Sequence, residues 1–235
     1  MRKVILHYHL FKNAGTSLDA AFKENFSEEK GEWVTKEFPN QPAANREQVR
    51  QWILDNPQAK CFSSHTALLP VPSIKGVEVF PVVFVRHPID RIASAYNFEK
   101  KQQAKSFGSV LAKNTDMKGY IETRLAIKND FQCRNFHTAF FNNGVEGSLS
   151  TLPFIGLVER YSNCLSELER KLSHFFDEKI KLYTHKKNTT REKVDLEEKL
   201  NTIETLVGKE FYRQLIEANE EDLTLYGEVL SRWNR

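Results

Sequence analysis

The chain has 235 residues, 40% of them hydrophobic and 28% charged, with a formal net charge of +3 at pH 7. This is the make-up of one α/β-sized domain with a real core, so residues 1–235 are expected to form a single domain. The charge is too small to select nucleic acid or an anionic membrane as partner, and anion binding must come from local basic clusters.

Cys61, Cys133 and Cys164 are far apart and form no CxxC pair, which argues for reduced, partly buried thiols. No apolar run is long enough for a transmembrane helix. The VIL segment behind Arg2 and Lys3 is too short for a signal-peptide core. The expected location is cytoplasmic if the chain start is natural, although a trimmed, membrane-anchored luminal domain would read the same.

In chain order, residues 3–9 read as a buried strand. Residues 16–26 read as a helix opened by Thr16 or Ser17, with Leu18, Ala21, Phe22 and Phe26 on one face. Residues 28–42 are polar and irregular, and a short helix over 45–55 stops at Asn56-Pro57. A second strand is expected over 60–63. The clearest strand is VEVFPVVFV, residues 77–85, where Pro81 suggests a bulge. A loop and a helix follow it. The basic segment 100–118 reads as a mobile surface stretch or lid, and 118–128 as a helix. FIGLVERY reads as another core strand and SNCLSELERKLSHFF as an amphipathic helix. Two charged helices close the chain, at about 193–206 and 208–233. Strands alternating with helices predict an α/β fold with a mainly parallel, doubly wound sheet.

Two loops carry the chemistry. FKNAGTS joins the first strand to the first helix, where free helical N–H groups and the helix dipole favour an anion. Lys12 brings a full charge, Asn13, Ala14 and Gly15 bring backbone, and Thr16 and Ser17 bring hydroxyls. The Walker consensus fails, because Thr16 stands where its lysine is needed. The strand over 77–85 runs into Arg86 where a Mg²⁺-holding aspartate would be expected, so the site looks built for anions without a metal. In VRHPIDRIASAY, Arg86 can grip a phosphate bidentately and Ser94 can add a hydroxyl from the helix. Arg91 at its helical position is expected to pair with Asp90, Glu99 or another carboxylate. His7 and His9 share a strand face, but this pair alone does not argue for zinc. His9 reads as a packed, hydrogen-bonded residue, and no metal is expected.

The segments HLFKNAGTSL and VRHPIDRIASAYNF resemble the 5′-phosphosulfate and 3′-phosphate motifs of sulfotransferases. The nearest group is the one containing heparan sulfate 2-O-sulfotransferase and its bacterial relatives. SSHTAL, NDFQCRN, FIGLVERY and NEEDLTLY resemble further segments of that group in the same order. Phe11, Asn13, Ala14 and His87 depart from the usual residues, and Ser63 stands where the heparan enzyme has a second histidine beside the one matched by His65.

The resemblance implies a P-loop-like fold and a donor, 3′-phosphoadenosine 5′-phosphosulfate (PAPS). The first loop would hold its 5′-phosphosulfate, and Arg86 and Ser94 its 3′-phosphate. Lys12 would neutralise the leaving bridging oxygen, and His65 would take the acceptor's proton. Gln132 and Arg134 would contact the acceptor or the 3′-phosphate region, with a surface role as the alternative. Lys186, Asn188 and Arg191 would close over the nucleotide, with a solvated turn as the alternative. The acceptor would be a hydroxyl of a saccharide, a lipid headgroup or a small molecule, and the oligomeric state is open. The competing readings are a P-loop-like nucleotide kinase or NTPase, and an inactive anion- or glycan-binding relative.

Overall fold

The structure is a computed structural model that describes residues 1–142, 148–183 and 195–234. Lys186, Asn188 and Arg191 lie outside the described residues. Two compact units emerge, one of Met1–Val85 with Phe140–Asn188 and one of Arg86–Ala139 with Thr189–Arg235.

The first unit holds the sheet. Its strands are β1 (Arg2–Tyr8), β2 (Trp33–Thr35), β3 (Cys61–Ser64), β4 (Val77–Val85) and β5 (Ile155–Leu157), in the order β2-β3-β1-β4-β5. All four pairings are parallel. The apolar runs at Val4–Leu6 and Val82–Val85 are at most 2% exposed, as expected for strands covered on both faces. Helices α1 (Gly15–Lys23), α2 (Pro42–Asp55) and α8 (Tyr161–Phe176) belong to this unit. Leu18, Ala21 and Phe22 of α1 are fully buried, which is the face read from the sequence.

Three expectations change here. The segment 28–42 contains β2, a three-residue edge strand too short to show a period against its charged neighbours. Pro81 makes no bulge, since β4 stays in register with β1 through the pair Leu6 and Pro81. Its second neighbour, β5, begins only opposite Val83, so the missing N–H falls where β4 is still an edge. Helix α2 also starts earlier than expected, with Pro42 in the first turn, where a proline N–H has no helical partner to lose.

The chain moves from β1 toward β2 and β3, and from β4 toward β5. The sheet direction therefore reverses between β1 and β4, and in open α/β sheets ligands bind beyond the carboxyl ends of the strands at such a point. The loop carrying Lys12 leaves β1 there, and Arg86 is the residue that follows Val85 of β4.

The second unit is helical: α3 (Pro88–Lys101), α4 (Phe107–Asn114), α5 (Met117–Ala126), α9 (Leu196–Val207), α10 (Lys209–Glu217) and α11 (Glu220–Arg232). Its core joins Ile89, Ile92, Tyr96, Tyr120, Ile203 and Leu215 among others. The segment 100–118, read as a mobile surface stretch or lid, contains α4, whose N-cap Ser106 accepts a hydrogen bond from the Ser109 amide. There Gly108 packs so closely on Glu99 and Arg124 that a Cβ would lie within 2.3 Å of their side chains. The closing stretch at 208–233 is two helices, because Asn219 turns its amide to the Cys133 and Leu215 carbonyls at the break. The short helices α6 (Phe136–Phe141) and α7 (Ser148–Thr151) complete the described chain. Among the described residues, no helix is long and apolar enough to cross a membrane.

Candidate functional site

The loop after β1 takes an unusual path. Lys12 and Ala14 both have positive φ, 64° and 63°, a conformation that L side chains rarely adopt. Ala14, not Thr16 or Ser17, is the N-cap of α1, and no side chain caps the helix. The Thr16 and Ser17 hydroxyls are therefore not spent on capping, while the Ser17 and Leu18 amides donate to the Ala14 carbonyl at 3.0 and 3.1 Å. Asn13 is buried and donates from Nδ2 to the Phe11 carbonyl at 3.0 Å, which stiffens the turn. Two strained residues on either side of a tethered asparagine mark this loop as a functional feature.

Gly15 has a different reason to be glycine than ligand approach alone. A Cβ there would lie 2.1 Å from Cδ2 and 2.4 Å from Nε2 of His9. The His9 imidazole occupies the space beside the first turn of α1. Gly15→Ala should force that ring away and lower stability by about 1–3 kcal/mol, the usual cost of overpacking. Thermal unfolding followed by circular dichroism measures the loss.

Behind the loop lies a cluster that the sequence left half-read. Asp19 of α1 accepts from His7 Nδ1 through Oδ1 and from His9 Nδ1 through Oδ2, both at 2.8 Å. The Ser63 hydroxyl also lies 3.1 Å from His7 Nδ1. Burial would raise the Asp19 acid, but the two histidines outweigh it and hold it well below the usual carboxylate range. One ligand atom from each of the three side chains falls within 4.8 Å of the others, and in this structure hydrogen bonds close the group on itself.

His65 follows β3, directly after Ser64, and is exposed. Its Nδ1 lies 3.1 Å from the His9 carbonyl, so Nδ1 carries the hydrogen and Nε2 the lone pair. Desolvation and the neighbouring His9 lower its pKa, against weaker opposite effects from Glu37, the His9 carbonyl and Asp19. A neutral imidazole with an open Nε2 is a competent general base at neutral pH.

In the second unit, Arg86 donates from Nε to Asp90 Oδ2 at 2.6 Å, which fixes the plane of its guanidinium. Lys199 Nζ lies 4.0 Å from the same carboxylate oxygen. Ser94 lies on the second turn of α3 and is half-buried. Arg91 is fully buried and pairs with no carboxylate among the described residues. It donates to the Gln132 backbone carbonyl and lies 4.2 Å from the centre of the Phe136 ring. Glu99 instead binds Arg124 and Tyr120. Gln132 thus serves Arg91 through its backbone, and Arg134 donates from Nη2 to the Leu125 carbonyl at 2.7 Å.

Spacing alone does not show how that segment is anchored. Asp222 accepts from the His137 amide at 3.0 Å, the Thr138 amide at 2.7 Å and His137 Nδ1 at 3.1 Å. Burial would raise the Asp222 acid, but these bonds win and draw it down to about 2. A carboxyl lowered from 3.8 stabilises the fold above that pH and loses the contribution, about 2 kcal/mol, as pH falls toward 2. His137, His65 and His87 are all lowered by burial, so the unfolded chain binds more protons below 6.5 and acid costs stability there as well. The melting temperature should therefore fall from pH 7.5 to 5 and again below 4. A His137→Gln variant should show a smaller first step.

The chain matches the sulfotransferase family over residues 1–227. The chain belongs to this family. It is also 38% identical, over 251 aligned positions, to an uncharacterized protein of Archaeoglobus fulgidus, an alignment covering 99% of this chain and 98% of that one. The three cysteines are free and buried, and burial pushes their thiols up, to about 12 for Cys133 and about 11 for Cys164.

Proposed function

We propose that the protein transfers a sulfuryl group from PAPS to an acceptor hydroxyl. The observation that carries this reading is the strained loop between β1 and α1, which holds Lys12 and opens a helix with no side-chain cap, in a chain of the sulfotransferase family. Lys12 through Ser17 fit a 5′-phosphosulfate, and the oriented guanidinium of Arg86 with the Ser94 hydroxyl fits a 3′-phosphate. When bound, the donor supplies an activated sulfuryl group. Lys12 neutralises the charge that grows on the bridging oxygen, and electrostatic support of this kind is the main lever in loose, in-line transfer. His65 Nε2 takes the proton from the acceptor hydroxyl as its oxygen bonds to sulfur. Gln132 and Arg134 hold the acceptor side in this proposal. A saccharide or small-molecule hydroxyl is the proposed acceptor class, on the likeness to the heparan sulfate 2-O group.

Calorimetry with 3′-phosphoadenosine 5′-phosphate, the desulfated product, against ATP with Mg²⁺ tests the reading. Tight binding of the bisphosphate without metal is expected. Binding of ATP with Mg²⁺ and none of the bisphosphate would replace the proposal with a nucleotide kinase or NTPase.

A further inference from the structure

Three histidines and one aspartate converge in the first unit, and the proposed chemistry uses only His65. The His9 and His65 rings touch, with centroids 3.8 Å apart and planes tilted by 42°. The His9 carbonyl receives the His65 Nδ1 hydrogen, so backbone and ring of one residue both support the other. His9 is in turn gripped by Asp19, whose second oxygen holds His7.

An ionised carboxylate only accepts hydrogen bonds, so both bonded Nδ1 atoms must carry hydrogen. That fixes His9 as the Nδ1–H tautomer and leaves its Nε2 edge against Gly15. We propose that Asp19 and His9 are positioning residues for His65. Asp19 locks the His9 ring as the platform under His65 and places a negative charge behind the pair. This inference rests on the reading of His65 as the acceptor base.

The charge balance gives Asp19 its role. The groups acting on His65 are His9, Glu37 and Asp19. When His65 gains a proton, a charged His9 would oppose it, while the carboxylates of Asp19 and Glu37 favour it. A purely structural tie between β1 and α1 would need the carboxylate's shape but not its charge, which makes Asp19→Asn decisive. The asparagine amide is a donor on one side, so one of the two histidines must give up its Nδ1 hydrogen and move it to Nε2.

Three measurements on the full chain test this. Nitrogen-15 imidazole spectra should show the Nδ1–H tautomer for His7 and His9 in the native protein, and an Nε2–H tautomer for one of them in Asp19→Asn. Diethylpyrocarbonate, which reacts with unprotonated imidazole, should label His65 with a pH midpoint that falls in Asp19→Asn and returns toward the native value in Asp19→Glu. Once an acceptor is in hand, turnover of Asp19→Asn should drop on the order of tenfold to hundredfold, less than the ~10⁴ seen when a carboxylate touches the base itself. An unchanged His65 midpoint in Asp19→Asn, or native spectra with Nε2–H on His9, would overturn the proposal. If Asp19→Asn does not fold, the native spectra and the Asp19→Glu midpoint decide. Bisphosphate calorimetry on the native protein is read separately: no binding there sinks the sulfotransfer reading, whatever the imidazole spectra show.

Discussion

Lys12→Ala should lower turnover on the order of 10²–10³-fold while leaving bisphosphate affinity within a fewfold of the native value. The lysine lies in the loop between β1 and α1, with a positive φ of 64°. Its proposed work is on the bridging oxygen, where charge appears only as the bond to sulfur breaks. The desulfated product lacks the sulfuryl group, so it reports ground-state grip and is a weak sensor of this residue. The measurement is a split: single-turnover rates with PAPS against calorimetry with the bisphosphate. A variant that lost affinity and rate together would make Lys12 a binding residue and leave the leaving-group role empty.

Arg86→Ala has the opposite signature. Bisphosphate affinity should fall on the order of 10²-fold, the scale for truncating one member of a close charge pair. Stability should fall too, because Asp90 is buried and would lose the Nε donor at 2.6 Å, a cost of about 1–3 kcal/mol. Arg86→Lys separates the two effects. It keeps the charge, yet a point ammonium cannot reproduce the planar guanidinium that Asp90 holds by Nε. Calorimetry should show partial recovery for lysine. Full recovery would mean that the planar fork is irrelevant.

Strands β1 and β4 were legible because their signals are local. VILHY and VEVFPVVFV are apolar runs with one reading, and both were placed within a residue or two of their observed ends. The anion loop was legible as a loop, but its cap was not. Thr16 and Ser17 are the residue types that cap helices, and only the backbone path, with Ala14 left-handed, shows that they are passed over. The histidine cluster was half legible. A period of two puts His7 and His9 on one face, whereas the Asp19 bridge depends on how α1 lies over β1, which no spacing rule supplies. Segment 100–118 was misread because polar composition resembles disorder. Its helix depends on Ser106 and on the close seat of Gly108, neither of which stands out in composition.

The anchoring of residues 133–138 bears on how the second unit comes together. Every bond that fixes this segment to Asn219 and Asp222 spans 84 to 87 residues of chain. Closing so long a loop costs entropy before any bond returns it. The bonds that tie the segment carrying Gln132 and Arg134 to α11 are therefore expected to form late. A nascent chain that has not yet delivered Asp222 would leave the His137 and Thr138 amides without their acceptor. This segment should therefore complete its bonds only after the chain bearing Asn219 and Asp222 has been made.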